Sequence, residues 1–382
     1  MTVDAGPTRF SEQPLTPWRR TVLKVGSSLL AAEGGGLSPR HVEAIAGFVR
    51  AAHSLGREVV LVSSGAVAAG RALSPSPTNG SGMAERQALA ALGQAKLMGF
   101  WQGFFEPPVA QVLLTHDDLR NRRRYLNARA TLTALLSRAA LPIVNENDTV
   151  SVDELKLGDN DNLAGVVAAL VDADILLIAT DVDGLYDRDP RRHGDARPVE
   201  QVAIVDAAVM ASAGAAGSAA GTGGMVTKLE AAARAARAGI ATALFNGRAP
   251  AVLEALARDR LIGTWIAPSA SRVVARKHWL LSAPLEAGAV VLDAGAAQAV
   301  AGQGASLLAG GIAAVEGDFR RGDAVLLVCR GADGERRIAR GIAQYSAADI
   351  RRIAGRHSRE IKTVLGYSYG GSIVHRDDLV LL

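Results

Sequence analysis

Short apolar runs recur along the first two-thirds of the chain with almost no polar interruption: Thr21–Val25, Glu58–Val62, Val109–Leu114, Leu141–Val144, Asp174–Thr180, Ala241–Phe245 and Leu261–Ile266. A strand with one wet face alternates apolar and polar residues, whereas one buried on both faces does not. Between the runs, apolar positions recur three and four residues apart, which predicts helices over Pro39–Leu55, Val67–Ala72, Ala84–Phe105, Leu163–Val171 and Leu229–Ala238. Strands and helices in turn predict the α/β class, a mainly parallel sheet sandwiched by helices. From about residue 285 the pattern changes. Strands at Ala289–Leu292, Ala324–Cys329 and Arg337–Ala343 and brief helices at Ala294–Ala301 and Ala347–Ile353 are punctuated by Gly288, Gly310, Gly311, Gly317, Gly322 and Gly334, as in a small β-rich domain. The expected division is a flexible leader over 1–18, a catalytic domain over 19–270 and a second domain over 285–375.

Polar residues gather where predicted strands end, the edge at which open α/β sheets bind ligands. The densest group is Asn145–Asn162, whose acids and amides lie between a buried strand and a helix and exceed the one cap that a helix needs. Lys24 interrupts a core strand and is followed by Gly26 and Ser27. A buried ammonium is costly unless it reaches an anion, so the group suits phosphate; a lysine snorkelling from a strand edge is the alternative. Ser63-Ser64-Gly65 opens the next helix, and Thr180-Asp181 closes a buried strand. The stretch Gly214–Gly224 cannot pack a core and reads as a mobile loop. It delivers backbone amides, Thr227 and Lys228 to a helix start, an arrangement able to cradle phosphate.

Composition narrows the classes. The 382 residues are 49% hydrophobic, enough for a large core, and no run approaches the roughly 18 apolar residues of a membrane span. Cys329 is the only cysteine, which excludes an internal disulfide. With no secretory signal in the first residues, a soluble, cytoplasmic protein is expected. The net charge of +4 lies in residues 271–382, which hold 15 Lys and Arg against 11 Asp and Glu. That bias suits a nucleic-acid partner, or arises without one in an arginine-rich chain. The cluster Arg120, Arg122, Arg123, Arg124 and Arg129 reads as a solvated or subunit-contact face. Neither a GxGxxG fingerprint, a Walker loop nor a zinc-type histidine spacing is found.

Six motifs in order resemble the amino acid kinase family: Val-Leu-Lys-Val-Gly-Ser-Ser (Val22–Ser28), Val-Ser-Ser-Gly-Ala-Val (Val62–Val67), Leu-Asn-Ala-Arg (Leu126–Arg129), Asn-Glu-Asn-Asp (Asn145–Asp148), Lys-Leu-Gly-Asp-Asn-Asp-Asn (Lys156–Asn162) and Gly-Thr-Gly-Gly-Met (Gly221–Met225). Gly355-Arg-His-Ser and His375-Arg-Asp-Asp match the C-terminal PUA domain of many bacterial members, a fold named for pseudouridine synthases and archaeosine transglycosylases. The resemblance implies phosphorylation of the γ-carboxylate of L-glutamate to L-glutamyl 5-phosphate by ATP and Mg2+, the first step of proline biosynthesis. It assigns Lys24 and Lys228 to clamping phosphates and Asp161 to orienting both lysines, an acid kept charged by its neighbours. Gly26 and Ser27 would give amides to the phosphates, Thr180 and Asp181 would meet the nucleotide, and Thr222, Gly223, Gly224, Met225, Val226, Thr227 and Lys228 would close over it. Ser64, Asp148 and Asn160 would bind the amino acid, Asp148 through the ammonium, Ser64 and Asn160 as donors to carboxylates. Magnesium would be held mostly through water and ATP oxygens, and no residue is named as its ligand.

The family further implies a homo-oligomer, dimer or tetramer, and a reductase that takes over the acyl phosphate. Related kinases acting on acetylglutamate or aspartate remain the rival class. RNA binding by the C-terminal domain is the minority reading, because no exposed aromatic stripe is expected there.

Overall fold

The computed structural model describes residues 9–32, 35–74, 82–151, 160–213, 224–269, 288–331 and 334–382. The chain divides into two units, Met1–Ser271 and Arg272–Leu382. In the first unit, strands β1 (Glu12–Pro14), β2 (Arg20–Val25), β3 (Glu58–Ser63), β4 (Val109–Leu114), β5 (Leu141–Glu146), β6 (Ile175–Thr180), β7 (Gln201–Val202), β8 (Ala241–Asn246) and β9 (Arg260–Ile266) build one sheet. Their order is β1-β9-β8-β6-β2-β3-β5-β4, with β7 beside β9. From β8 to β4 the neighbours are parallel; β9 runs antiparallel to β8, and β1 antiparallel to β9.

Helices α1 (Ser27–Leu30), α2 (Val42–Ser54), α3 (Ala66–Leu73), α4 (Met83–Gln102), α5 (His116–Arg120), α6 (Arg122–Leu136), α7 (Asn160–Leu170), α8 (Ala207–Ala213), α9 (Met225–Arg237) and α10 (Pro250–Ala257) connect the strands. Successive strand residues point to opposite faces. Leu23, Val25, Val59 and Leu61 therefore pack with Ile45, Val49, Leu97 and Leu256, from α2, α4 and α10. Val22, Val60, Val62, Leu176 and Ile178 pack instead with Leu132, Leu163, Val167 and Leu229, from α6, α7 and α9. Lys24 shares the parity of Val22, so its side chain rises toward α7 and α9. That one step of register places the site.

Two glycines fix how α4 lies. A Cβ at Gly70 would come within 1.9 Å of Leu89 O, and one at Gly93 within 1.9 Å of Ala66 O. Helices α3 and α4 thus cross backbone to backbone, which no side chain would permit.

The expectation of a flexible leader through Trp18 is corrected. Glu12–Pro14 pairs with β9, and Leu15 and Trp18 are buried in the core. Sheet edges carry unpaired donors and acceptors, an edge strand tolerates Pro14, and two apolar anchors suffice to hold the segment. The Arg57 guanidinium lies 4.6 Å over the Trp18 ring and pairs with Asp259 at 2.6 Å.

In the second unit, β10 (Gly288–Leu292), β12 (Ile312–Gly317), β13 (Ala324–Gly331), β14 (Gly334–Ile342) and β16 (Leu379–Leu381) form a sheet in the order β12-β10-β13-β14-β16. Strands β11 (Leu307–Leu308) and β15 (Ser372–Val374) pair separately. Helices α11 (Ala294–Gln303), α12 (Ala347–Ile353) and α13 (Ile361–Leu365) complete it around a core containing Phe319, Tyr345, Ile350 and Ile373.

No exposed aromatic stripe was expected in this unit, yet two exposed tyrosines lie side by side. Tyr367 and Tyr369 are 39% and 48% exposed, with ring centroids 5.2 Å apart, and the Arg321 guanidinium lies 3.8 Å from the Tyr369 centroid. They occupy a turn between Gly366 and Gly370, whose φ values of 86° and 117° hold the chain in a left-handed conformation. Two tyrosines in a short turn carry no periodicity that a sequence pattern exposes.

Truncation of an anchor in the N-terminal segment tests the first correction. Trp18→Ala is expected to destabilise the first unit by about 3 kcal/mol, read as a lowered urea midpoint, whereas a leader without contacts would leave it unchanged.

Candidate active site

Three charged side chains converge at the carboxyl ends of the central strands. Asp161, in the first turn of α7, is fully buried. Lys24 Nζ lies 2.6 Å from its Oδ1 and Lys228 Nζ 3.1 Å from its Oδ2. Thr227 Oγ1 is 2.9 Å from Asp161 Oδ2 and 2.9 Å from Gly224 O. Burying three ions costs several kcal/mol each before their attraction is counted, so stability alone is a poor reason for the cluster. One carboxylate between two ammonium groups gives the trio a net charge of +1, the sign a polyphosphate requires.

Backbone packing sets these distances. A Cβ at Gly165 would come within 2.9 Å of Ala231 O, so α7 and α9 touch along their main chains one turn beyond Asp161 and Lys228. Asn162 Nδ2 donates to Glu230 Oε2 at 3.3 Å across the same seam. The expected helix start at Leu229 moves to Met225 with Gly224 as its cap. Lys228 is therefore held in a helical first turn. Gly26 sits beside the cluster: a Cβ there would stand 3.5 Å from Lys24 Nζ, and Ser27 follows at the start of α1.

One side of the edge is built by the carboxyl ends of β6 and β8. Thr180 is buried and its Oγ1 donates to Asp181 Oδ1 at 3.3 Å, while Gly247 N donates to Thr180 O at 2.8 Å. Asp181 lies 3.8 Å from Arg248. Asn246 Nδ2 donates to Asp183 Oδ1 at 2.8 Å and Tyr186 Oη to Oδ2 at 3.3 Å. Burial, then the Asp183 charge, pushes the Tyr186 phenol up to about 12, so it stays protonated and donating.

On the other side, Asn160 immediately precedes Asp161 and its Nδ2 donates to Ser64 Oγ at 2.9 Å and to Asn145 Oδ1 at 3.0 Å. Both amide hydrogens are committed, so the expectation that Asn160 donates to a substrate carboxylate is corrected: the atom it has to offer is Oδ1, an acceptor. Asp148 is half-buried in the turn after β5. The structure thus brings Lys24, Gly26, Asp161, Thr227 and Lys228 together and joins Ser64 to Asn160. Met225 and Val226 line the first turn of α9. Thr222, Gly223 and most of the Gly214–Gly224 loop lie outside the described residues, as does Val152–Asp159.

Sequence reasoning missed Gln94 and passed over Asn145. Asn145 Nδ2 donates to Gln94 Oε1 at 3.0 Å, and Gln94 Nε2 to Gln111 Oε1 at 3.3 Å. A glutamine inside a long helix gives no sign of being buried; the flanking Gly93 was the one available signal. In the arginine cluster, Arg124 pairs with Asp118 at 3.2 Å and lines a cavity with Thr115, His116, Asn147 and Ser151, and Arg129 pairs with Asp172 at 2.8 Å. Among the described residues no three His, Cys, Asp or Glu side chains gather as metal ligands, and no helix is long and apolar enough to cross a membrane.

An anion-seeking lysine pair at the edge of a sandwiched parallel sheet defines a phosphoryl-transfer fold, and the amino acid kinase family model matches residues 19–246. The chain belongs to the amino acid kinase family, with a PUA domain matched over 288–365. It is 64% identical over 378 residues to a glutamate 5-kinase of Xylella fastidiosa, covering 98% of each chain. It is 66% identical over 362 residues to a glutamate 5-kinase of Xanthomonas campestris pv. campestris, covering 94% of this chain and all of the other.

Widening the helix seam tests the packing. Gly165→Val is expected to separate α7 from α9, costing about 1–3 kcal/mol of stability and lowering kcat more than tenfold, measured by thermal melting and steady-state turnover.

Proposed function

We propose that the chain is an ATP-dependent kinase that phosphorylates the γ-carboxylate of L-glutamate. The observation that carries this reading is Asp161 bridging Lys24 and Lys228 beside the Ser64–Asn160 pair, supported by the full-length similarity to glutamate 5-kinases. A carboxylate acceptor is already ionised at neutral pH, so no strong base is needed. What opposes the reaction is repulsion between acceptor and γ-phosphate. An acceptor oxygen attacks phosphorus, the bond to the bridging oxygen breaks, and ADP leaves with the electron pair. Lys24 and Lys228 offset the negative charge on the transferring group, and Asp161 holds both ammonium groups in position before it arrives.

The residues present fit ATP: the space over Gly26, where a Cβ would meet the Lys24 ammonium, is left open for phosphate oxygens. Thr180, Asp181 and the first turn of α9 stand on the side left for the nucleotide. Mg2+ bound with ATP would supply further positive charge at the phosphates, beside the Lys24 and Lys228 ammonium groups. Ser64 and Asp148 bind the amino acid together with Asn160, the last as an acceptor. The product is a labile acyl phosphate, so a reductase is its natural consumer. A cytoplasmic homo-oligomer, with a kinase domain over 19–270 and the PUA domain over 285–375, completes the reading.

Purified chain supplied with ATP, Mg2+ and an amino acid panel is expected to yield a hydroxamate from glutamate and hydroxylamine, and little from aspartate or acetylglutamate. Lys24→Ala, Lys228→Ala and Asp161→Asn are each expected to lower kcat by about a hundredfold or more. Turnover untouched in all three would overturn the mechanism.

One observation favours an additional role for the second unit. The exposed Tyr367–Tyr369 pair, with the buried Arg321 guanidinium packed against the Tyr369 ring, offers flat rings on which unpaired bases stack. In filter binding with single-stranded RNA, Tyr369→Ala is expected to weaken retention about tenfold. Equal or absent retention for both proteins would remove this role.

A further inference from the structure

The geometry points to Gln94 as a positioning residue that, through Asn145, fixes which atom Asn160 shows to the amino acid, and so makes the site select an acceptor with a free ammonium. The inference rests on the proposed kinase reading and deepens it. Four carboxamides form a chain from the surface to the site: Gln111, Gln94, Asn145 and Asn160. Gln94 and Asn145 are buried, where an amide left without partners is costly.

The direction of the chain is fixed by one group that cannot reverse. Glu146 N donates to Asn145 Oδ1 at 3.0 Å, and a backbone N–H can only donate. Asn145 must therefore face Glu146 with its oxygen, which leaves its Nδ2 for Gln94 Oε1. The same Oδ1 takes the hydrogen of Asn160 Nδ2, whose other hydrogen goes to Ser64 Oγ. Asn160 is left with Oδ1. Ser64, accepting from Asn160, is left with its hydroxyl hydrogen. The corner thus offers an oxygen acceptor for an ammonium and a hydroxyl donor for a carboxylate, in fixed places. An N-acylated amine has lost the positive charge and keeps a single N–H, so it gives Oδ1 a weaker, neutral partner.

Gln94 is the member that holds Asn145 against rotation from the side away from the substrate. It can do so because Gly93 lets α4 ride directly on α3 and bring position 94 under β5. Neither Gln94 nor Gln111 belongs to the residues proposed to meet substrate.

Gln94→Met keeps the volume and removes the acceptor. In the full chain it is expected to raise the KM for glutamate about tenfold, to leave the KM for ATP within about twofold, and to leave kcat/KM for glutarate, which lacks the amine, nearly unchanged. Gln94→Glu restores an oxygen facing Asn145 and is expected to return the glutamate KM to within about threefold of the parent. An unchanged glutamate KM in Gln94→Met, or a parallel loss for glutamate, glutarate and ATP, would overturn the assignment. Should Gln94→Met fail to fold, Gln111→Leu at an exposed position on β4 decides, with a two- to threefold rise in glutamate KM expected from about a few tenths of a kcal/mol of lost support, and no rise overturning it. Absence of glutamate turnover in the parent chain would instead sink the kinase reading itself.

Discussion

A single buried carboxylate governs this structure. Asp161 receives Lys24 from the middle of the sheet and Lys228 from the start of α9, so one carboxylate pairs with two buried ammonium groups. Strand parity aims Lys24, the first turn of α7 supplies Asp161, and the glycine seam at Gly165 brings α9 within reach. The core on that face, from Val22 to Leu229, is what keeps water from screening the three charges.

Much of the architecture was legible because it rests on periodicity. Strands β2, β3 and β6 lack alternation because helices cover both faces, and the edge strand Val109–Leu114 falls where its apolar run predicts although it is less buried. Lys24 stood out as a charge inside an apolar run, whereas the roles of Asp161 and Lys228 came from the family resemblance rather than from local pattern. The N-terminal strand was hidden because three residues on an edge carry no pattern, and only Leu15 and Trp18 marked them. In the second unit, β11, β15 and β16 are too short to stand out.

The amide chain was hidden for a deeper reason. Gln94 and Asn145 are 51 positions apart, and polar residues of their kind are ordinary on helices and at strand ends. Their meaning comes from hydrogen-bond direction, set by the main chain of Glu146, and direction has no signature in composition. The polarity assigned to Asn160 reversed for that reason: the residue type was readable, the atom it presents was not.

Asn160 and Asp161 are neighbours on one helix, about 100° apart around its axis, so Asn160 faces Asn145 and Asp161 faces the lysines, which in the proposed reading are the acceptor and phosphate sides. Helix α7 is thus a shared pivot: any displacement of its first turn disturbs recognition and chemistry together. Retuning the enzyme toward a different acceptor from within α7 would sacrifice speed. Changes confined to β5 and α4, which reach Asn160 through the Asn145–Gln94 amides, leave room for new specificity, and there a designer or natural variation has freedom to work.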